Sequence, residues 1–529
     1  MRKRFLFFFF FIVCATLAQD NFLFWIQFKH KNQKDFSLDR PEEFLSQQAI
    51  SRRKKYNIAI DSTDLPINEN YIDSVVKLSQ GKIKCCSKWL NGITLELNDT
   101  SDFHKIRSLN FVANIELTKV GNFQQKNLTE PNKLKADISP DEQMAIDQKA
   151  IHNLPFLHDL GFYGEGMKIA VIDAGFYRAD TLAAFNNLML LGTRDFVSPM
   201  SNVFKQHSHG MHVLSIMAAN LPGRMVGTAP NASYLLLRTE DAAQEYKAET
   251  DFWVSAIEHA DSIGVDLVNS SLGYYSFDYD FMNFAYADLD GKTARASIAA
   301  TMAARKGILV VNSAGNEGIN PWHYICVPSD ADSIITVGGT DSELNHFEYS
   351  SYGPTYDGRT KPTLSAIASS TAYIDTEGNV SGGNGTSFSA PIVCGIAACL
   401  WQAFPELNNM EIIDLLTKNA SQSSNPDNKL GYGIPDVKKS FYSQTPTDVA
   451  QIDNKKVWIA PNPFFNELKI NIPLGEIYEM EIIDINSLTL YKKHITSTES
   501  IRTEHLRKGF YLISLKGKNK NYFFKTIKN

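Results

Sequence analysis

The sequence predicts an α/β fold: a doubly wound, mostly parallel sheet, preceded by a small α+β region and followed by a β-sandwich. Three observations point there. Between about residues 145 and 443, short apolar runs rich in branched residues alternate with helical stretches, as in parallel strands covered on both faces. Polar stretches at 121–140 and 444–454 set this segment off at both ends. The 529 residues, at roughly 150 per domain, also exceed what a single core organises.

The chain opens with Arg2, Lys3 and Arg4, an apolar stretch from Phe5 to Val13, and the small-residue exit Thr16-Leu17-Ala18. That is the pattern of a secretory signal peptide cleaved near Ala18. The apolar core is far shorter than the ~20 residues that span a bilayer. From Asn21 to about Val120, strand-like stretches at Phe22 to Phe28 and Asn110 to Leu117 flank a helix candidate, Tyr71 to Leu78, and a strand, Gly92 to Leu97. In the central segment, Lys168 to Ile172, Ser233 to Leu237, Val265 to Asn269, Ile308 to Asn312 and Ser333 to Val337 read as buried strands. Thr250 to Ile263 and Thr293 to Lys306 read as helices. The last ~75 residues hold short alternating strands, such as Leu468 to Ile472, Glu479 to Asp484 and Gly509 to Leu515, which suit a small sandwich. The resulting division is 1–18, 19–140, 141–443, 444–455 and 456–529.

With 43% hydrophobic and 21% charged residues, collagen-like, wholly disordered and disulfide-dense chains are excluded. A net charge of −6 gives no basic footprint for nucleic acid, and no integral membrane segment is expected once the signal is removed. Beyond Cys14, five cysteines remain, an odd number that cannot form a complete disulfide framework. Cys394 and Cys399 lie in an apolar segment and read as buried free thiols. Cys85 and Cys86, if on a strand, point to opposite faces.

An open parallel sheet places its ligand beyond the carboxyl ends of its strands. Three of the central runs end distinctively, in Asp173-Ala174-Gly175, in Ser270-Ser271-Leu272-Gly273 and in Ser313-Ala314-Gly315-Asn316-Glu317-Gly318. His209-Gly210-Met211-His212 opens one helical run and Gly385-Thr386-Ser387-Phe388-Ser389-Ala390-Pro391 opens another. A serine at a helix start lies near unpaired N–H groups and the positive end of the dipole, which favour developing negative charge. Taken singly these residues have plainer readings. Asp173 suits a turn cap, Asn316 a left-handed turn and Ser389 a cap, while His207 and His212 compete with His209.

Taken together and in the order Asp, His, Asn, Ser, the segments resemble those of the subtilisin-like serine peptidases, the subtilase family. Gly227-Thr228-Ala229-Pro230, Phe347 to Pro354 and Gly431-Tyr432-Gly433-Ile434-Pro435 extend the resemblance across about 155 to 440. Ala174 and Met211 depart from the residues usual there, and Lys361 to Ala368 lacks the usual Ala-Pro-Gly. The resemblance implies Ser387 as nucleophile, His209 as general base and acid, Asp173 as its orienting carboxylate, and the Asn316 amide with the Ser387 N–H as oxyanion hole. It also implies that Ser271, Leu272 and Gly273, with Ser313, Ala314 and Gly315, pair with an extended peptide substrate. A broad endopeptidase favouring apolar or uncharged residues before the cleaved bond is expected, with Glu317 at the pocket rim. No cofactor is required on this reading. Many subtilases bind calcium for stability, but no ligand set is assignable from the sequence.

The same resemblance makes 19–140 a propeptide and linker, with autolytic cleavage expected within about 120 to 142. Residues 456–529 carry ten lysines and two arginines against one aspartate and six glutamates, a balance of +5. Ala460-Pro461-Asn462-Pro463-Phe464, Leu506 to Leu512 and the terminal Lys525-Thr526-Ile527-Lys528 resemble the C-terminal sorting domain of the type IX secretion system. That resemblance implies the type IX machinery as a partner and a secreted or cell-surface location reached through the periplasm. Two other classes compete. A catalytically inactive surface binding protein on the same fold would lack a triad residue. A lipase or esterase would show Gly-x-Ser-x-Gly, whereas Ser389 stands where the second glycine belongs.

Overall fold

The computed structural model describes residues 21–98, 100–121, 147–444, 457–473, 475–484, 488–518 and 521–528. The signal segment, nearly all of both polar stretches and the expected cleavage segment lie outside the described residues.

The N-terminal region is a four-stranded antiparallel sheet, order β2-β3-β1-β4, built from β1 (Phe22–Phe28), β2 (Lys82–Ser87), β3 (Gly92–Leu97) and β4 (Val112–Lys119). Phe24, Ile26 and Phe28 of β1 face a small core closed by Val75 and Ile106 of the covering helices. From the opposite side of this sheet, Leu23 and Cys85 join the core of the central segment. The 82–87 strand does send Cys85 inward and leaves Cys86 exposed.

The central segment carries β5 (Lys168–Asp173), β6 (Met189–Asp195), a two-residue hairpin of β7 (Asn220–Leu221) and β8 (Met225–Val226), β9 (Ser233–Arg238), β10 (Leu267–Ser270), β11 (Leu309–Ser313), β12 (Ile335–Thr340) and β13 (Leu364–Ile367). Seven of these form one parallel sheet in the order β13-β12-β11-β10-β5-β9-β6. Alternate residues feed opposite cores: Ile169 and Val171 pack with the Thr386–Ala403 helix, while Ala170 and Ile172 pack with the Ala248–Ile263 and Arg295–Arg305 helices. β5 lies inside the sheet, and later strands are added on either side of it. The winding therefore reverses beside β5, and the crevice opens at its carboxyl end. The Thr386–Ala403 helix is long and apolar enough to cross a membrane, but it is buried as the core helix of this sheet. A hairpin of β14 (Thr371–Ile374) and β15 (Val380–Gly383) precedes it.

Beyond residue 456, β16 (Trp458–Ala460), β17 (Glu467–Asn471) and β20 (Glu499–Arg502) form one antiparallel sheet. β18 (Tyr478–Asp484), β19 (Thr489–Ile495), β21 (Gly509–Gly517) and β22 (Asn521–Lys528) form another. Leu468 and Ile470 of the first sheet meet Met480, Ile482, Ile513 and Leu515 of the second in a core of their own, as a sandwich requires.

Several boundaries differ from the sequence expectation for local reasons. Val265 is held by the helix before it, its N–H donating to the Ala260 carbonyl around the left-handed Gly264, so β10 starts two residues later than expected. Ser333 has φ +62 and belongs to a turn, which delays β12 to Ile335. Val112 N–H closes a turn on the Leu109 carbonyl, which delays β4. The outer strands β6 and β13 and the Gln47–Lys55 helix were not expected. That helix reads QQAISRRKK, a polar run with no apolar stripe.

Candidate active site

β5, β10 and β11 end nearly flush, with Ser270 opposite Ile172 on one side and Asn312 on the other. Their continuations therefore emerge together. Asp173 is the last residue of β5 and is fully buried; Asp173 Oδ1 accepts from the Ala174 N–H at 2.7 Å and from His209 Nδ1 at 2.7 Å. Because the carboxylate can only accept, Nδ1 carries the proton and Nε2 presents a lone pair. His209 Nε2 is buried without a partner, free to receive a proton.

Glycine makes this contact geometrically available. A Cβ on Gly210, at the start of the His209–Ala218 helix, would lie 2.5 Å from the Gly175 carbonyl oxygen and 2.8 Å from Asp173 Cβ. Of the competing histidines, His207 uses Nδ1 to accept the His209 backbone N–H at 3.2 Å, and His212 lies against Tyr373 at 4.6 Å between ring centres.

Ser387 is in the first turn of the Thr386–Ala403 helix and remains partly accessible. Its hydroxyl donates to the Ser271 carbonyl at 3.2 Å, and the Ser271 hydroxyl donates to the Ser387 carbonyl at 2.8 Å. The side chain is thus turned onto the 271–273 segment. Asn316 accepts through Oδ1 from the Thr386 N–H at 2.9 Å and from the Thr386 hydroxyl at 3.1 Å. Both bonds engage the same oxygen, which leaves the amide nitrogen as the end available to a ligand. Ser389 is buried and donates to the Ile367 carbonyl at 2.9 Å, a structural role.

The two expected substrate segments are not equivalent. Ser313 and Ala314 are buried, Ala314 N–H donates to Val337, and the Ala314 carbonyl accepts from Cys326. Gly315 exchanges bonds with the Thr386 hydroxyl, and its carbonyl also accepts from Ser351. Ser313, Ala314 and Gly315 therefore form a wall whose backbone is largely paired within the protein. Glu317, expected at the pocket rim, is partly exposed, with its carboxylate accepting from the Tyr275 hydroxyl at 2.9 Å and from the Asn320 amide.

Sequence reasoning missed the layer behind Asp173. Arg238, opposite Asp173 in the β5–β9 register, donates through Nε to the Ala174 carbonyl at 3.1 Å and pairs with buried Asp195 at 2.9 Å. Thr239 N–H donates to the Asp173 carbonyl. The available signal was positional, since these residues follow the strand adjacent to β5. Beyond them, Glu240, Glu245 and Glu249 hold carboxylate oxygens within 4.8 Å of one another. Burial pushes Glu240 up to about 7, and burial with the neighbouring carboxylates pushes Glu249 well above the usual range. Glu240 Oε1 already accepts from Thr239 and Tyr274, and both Glu249 oxygens accept backbone N–H groups.

A buried imidazole–carboxylate pair, a hydroxyl at a helix N-terminus and an amide beside it, all at the carboxyl edge of a parallel sheet, define the serine peptidase class. The sequence model of the Subtilase family matches residues 164–433, that of the Peptidase S8 propeptide domain, Bacteroidota, matches 23–135, and that of the Secretion system C-terminal sorting domain matches 458–529. Subtilisin DY of Bacillus licheniformis is 31% identical over 268 residues, covering 49% of this chain and 86% of its own length. Subtilisin NAT of Bacillus subtilis subsp. natto is 29% identical over 274 residues, covering 51% of this chain and 65%, just under two thirds, of that protein. The solved Epidermin Leader Peptide Processing Serine Protease (EpiP) of Staphylococcus aureus superposes with a TM-score of 0.56 at 17% identity, covering 82% of this chain and 100% of that one, which shows the shared fold. The chain belongs to the subtilase family. It is a serine peptidase made as a zymogen, with a propeptide domain before the enzyme and a secretion sorting domain after it.

Proposed function

We propose that the protein is an exported endopeptidase whose hydrolysis runs through Asp173, His209 and Ser387. The observation that carries this reading is the buried 2.7 Å contact of His209 Nδ1 with Asp173, which leaves Nε2 unpartnered, with the His209 ring centre 6.3 Å from that of Phe388, the residue after Ser387. Rotation of the Ser387 hydroxyl from the Ser271 carbonyl to Nε2 completes the relay when substrate enters; such contacts commonly tighten only in the loaded enzyme. His209 then takes the hydroxyl proton as oxygen attacks the scissile carbonyl, and returns it to the leaving amine. Asp173 holds the tautomer and stabilises the imidazolium. The Asn316 amide and the Ser387 N–H receive the oxyanion. In subtilisin, where this was measured, loss of the corresponding asparagine costs about 10²- to 10³-fold in turnover. Ser271, Leu272 and Gly273 supply the edge along which the substrate lies.

On this reading 1–18 is removed on export, 19–140 is removed by cleavage within about 120 to 142, 141–443 is the enzyme, and 456–529 engages the type IX machinery after periplasmic transit. Wild-type protein is expected to hydrolyse casein and react with a fluorophosphonate probe, whereas Ser387→Ala does neither; equal labelling and hydrolysis by the two proteins would remove the assignment. Secreted protein that still began at Gln19 or Asp20, or that left the cell without 456–529, would remove the processing and sorting assignments.

A further inference from the structure

The bend that carries Asp173 is tied down from the neighbouring strand. Asp173 ends β5, and the chain then bends through Ala174 and Gly175. This bend touches both members of the imidazole–carboxylate pair. The Ala174 N–H donates to Asp173 Oδ1 at 2.7 Å. A Cβ on Gly210, the residue after His209, would lie 2.5 Å from the Gly175 carbonyl oxygen, so the start of the histidine helix rests on the same two residues. A shift of the bend therefore moves the carboxylate and the imidazole relative to one another.

Arg238 holds this bend. It ends β9 in register with Asp173 and is only 7% exposed. Its Nε donates to the Ala174 carbonyl at 3.1 Å, and its Nη1 pairs with Asp195, the last residue of β6, at 2.9 Å. Asp195 is fixed in turn: its carboxylate accepts from the Val197 and Ser198 N–H groups at 2.9 and 2.7 Å and from the Ser201 hydroxyl. β9 lies between β5 and β6, so one planar guanidinium, anchored by the loop after β6, clamps the bend after β5. A buried ion pair adds little net stability over an apolar replacement, so stability alone gives no reason for a guanidinium here. Placement does, because a misplacement of about 1 Å caused far from the reacting atoms costs about 10²-fold in rate.

Resting on the triad reading above, we propose that Arg238 is a positioning residue for the reaction: its Nε–H holds the bend that aims Asp173 at His209, and Asp195 keeps the guanidinium in place for that bond.

The two bonds can be cut one at a time from the same position. Lysine keeps a charge for Asp195 but has no donor where Nε stands, whereas glutamine puts an amide N–H close to that place and carries no charge. Full-length wild type, Arg238→Lys and Arg238→Gln are compared, after self-processing, in casein hydrolysis and in melting temperature. Melting is expected to fall in the order wild type, Arg238→Lys, Arg238→Gln, following the ion pair. The expected order in kcat is the crossed one, wild type, Arg238→Gln, Arg238→Lys, with Arg238→Lys lowered by roughly 10-fold at unchanged KM, as for an interaction that serves the transition state and not substrate binding. The same order in both measurements means a merely structural pair and overturns the proposal. So does an Arg238→Lys enzyme with wild-type kcat, or one whose loss lies in KM alone, and these two outcomes decide the matter even if Arg238→Gln fails to fold. Failure of the wild type itself to react with the fluorophosphonate probe would instead strike the triad reading.

Discussion

The two regions that flank the enzyme use the same charged residues in opposite ways. In the N-terminal region the Gln47–Lys55 helix drives its arginines inward. Arg53 pairs with Asp64 and with Asp261 of the enzyme, both at 2.8 Å, Arg52 also pairs with Asp261, and Lys306 reaches back to Asp64 at 3.0 Å. Arg53 is 1% exposed and Asp64 and Asp261 are 0% exposed. In the sorting domain the pairs lie outside the core. Lys492 meets Glu479 at 2.9 Å and Lys516 meets Glu481 at 2.7 Å, with the lysines about half exposed. A buried network yields little net stability over an apolar replacement, but losing one member leaves charge stranded in low dielectric. Surface pairs are screened and add little. The first arrangement therefore fixes how the propeptide domain sits on the enzyme, while the second keeps a basic sandwich soluble around an independent core.

The sharpest way to break this contrast is Arg53→Met. It strands Asp64 and Asp261 against a single remaining cation each, Lys306 and Arg52, and removal of one partner from such a network costs roughly 3–5 kcal/mol. In a Ser387→Ala background, which prevents self-digestion, guanidinium unfolding of the full chain should show a matching loss in the stability of the propeptide–enzyme unit. A loss indistinguishable from that of a surface substitution would mean that the buried network does not hold the interface.

A pH-dependent form of the same contrast centres on Glu258. Its carboxylate lies under the propeptide domain, accepting from the Ser87 hydroxyl, from Lys88 N–H at 2.8 Å and from Trp89 N–H at 3.2 Å, with Lys31 and Lys88 as the nearby cations. Burial outweighs these donors and raises it to about 7. Once the propeptide domain leaves, the carboxyl meets water and returns toward its ordinary value near 4.5. The bound form therefore holds the extra proton between these values: the contribution to binding is complete below about 4.5 and is lost as pH rises through about 7. Release should be easier at pH 8 than at pH 5, by up to about 3 kcal/mol, from 1.36 kcal/mol per pKa unit. Glu258→Gln should flatten that slope when dissociation of the cleaved propeptide is followed across pH 5–8. An unchanged slope would assign the effect to another group.

The sheet and the candidate triad were legible because each rests on a local pattern. Branched apolar runs mark strands buried on both faces, and Asp173, His209, Asn316 and Ser387 stand in short segments whose glycines permit close approach. The Gln47–Lys55 helix was not legible, because its inward face is arginine and becomes buried largely through partners more than 200 residues away. The edge strand β6 was missed for a related reason: Met189, Leu190 and Leu191 are exposed, so no alternation marks a face.

The smallest expected effect lies in the sorting domain. Lys492 on β19 reaches across to Glu479 and Glu481 on β18, whose hydrogen bonds hold the lysine above its usual range, while Glu481 is held below its own first by its hydrogen bond to Lys516 and then by that to Lys492. Lys492 itself stays about half exposed, so its attraction to these carboxylates is screened and the freedom lost in holding a long side chain offsets it. Glu481 also retains Lys516 at 2.7 Å when Lys492 is cut back. Lys492→Ala should therefore leave the melting of the full chain unchanged within the scatter of repeat scans, at 50 mM and at 500 mM salt alike. A clear destabilisation that disappears at high salt would show that this pair stabilises the domain, and would end the contrast between the two ends of the chain.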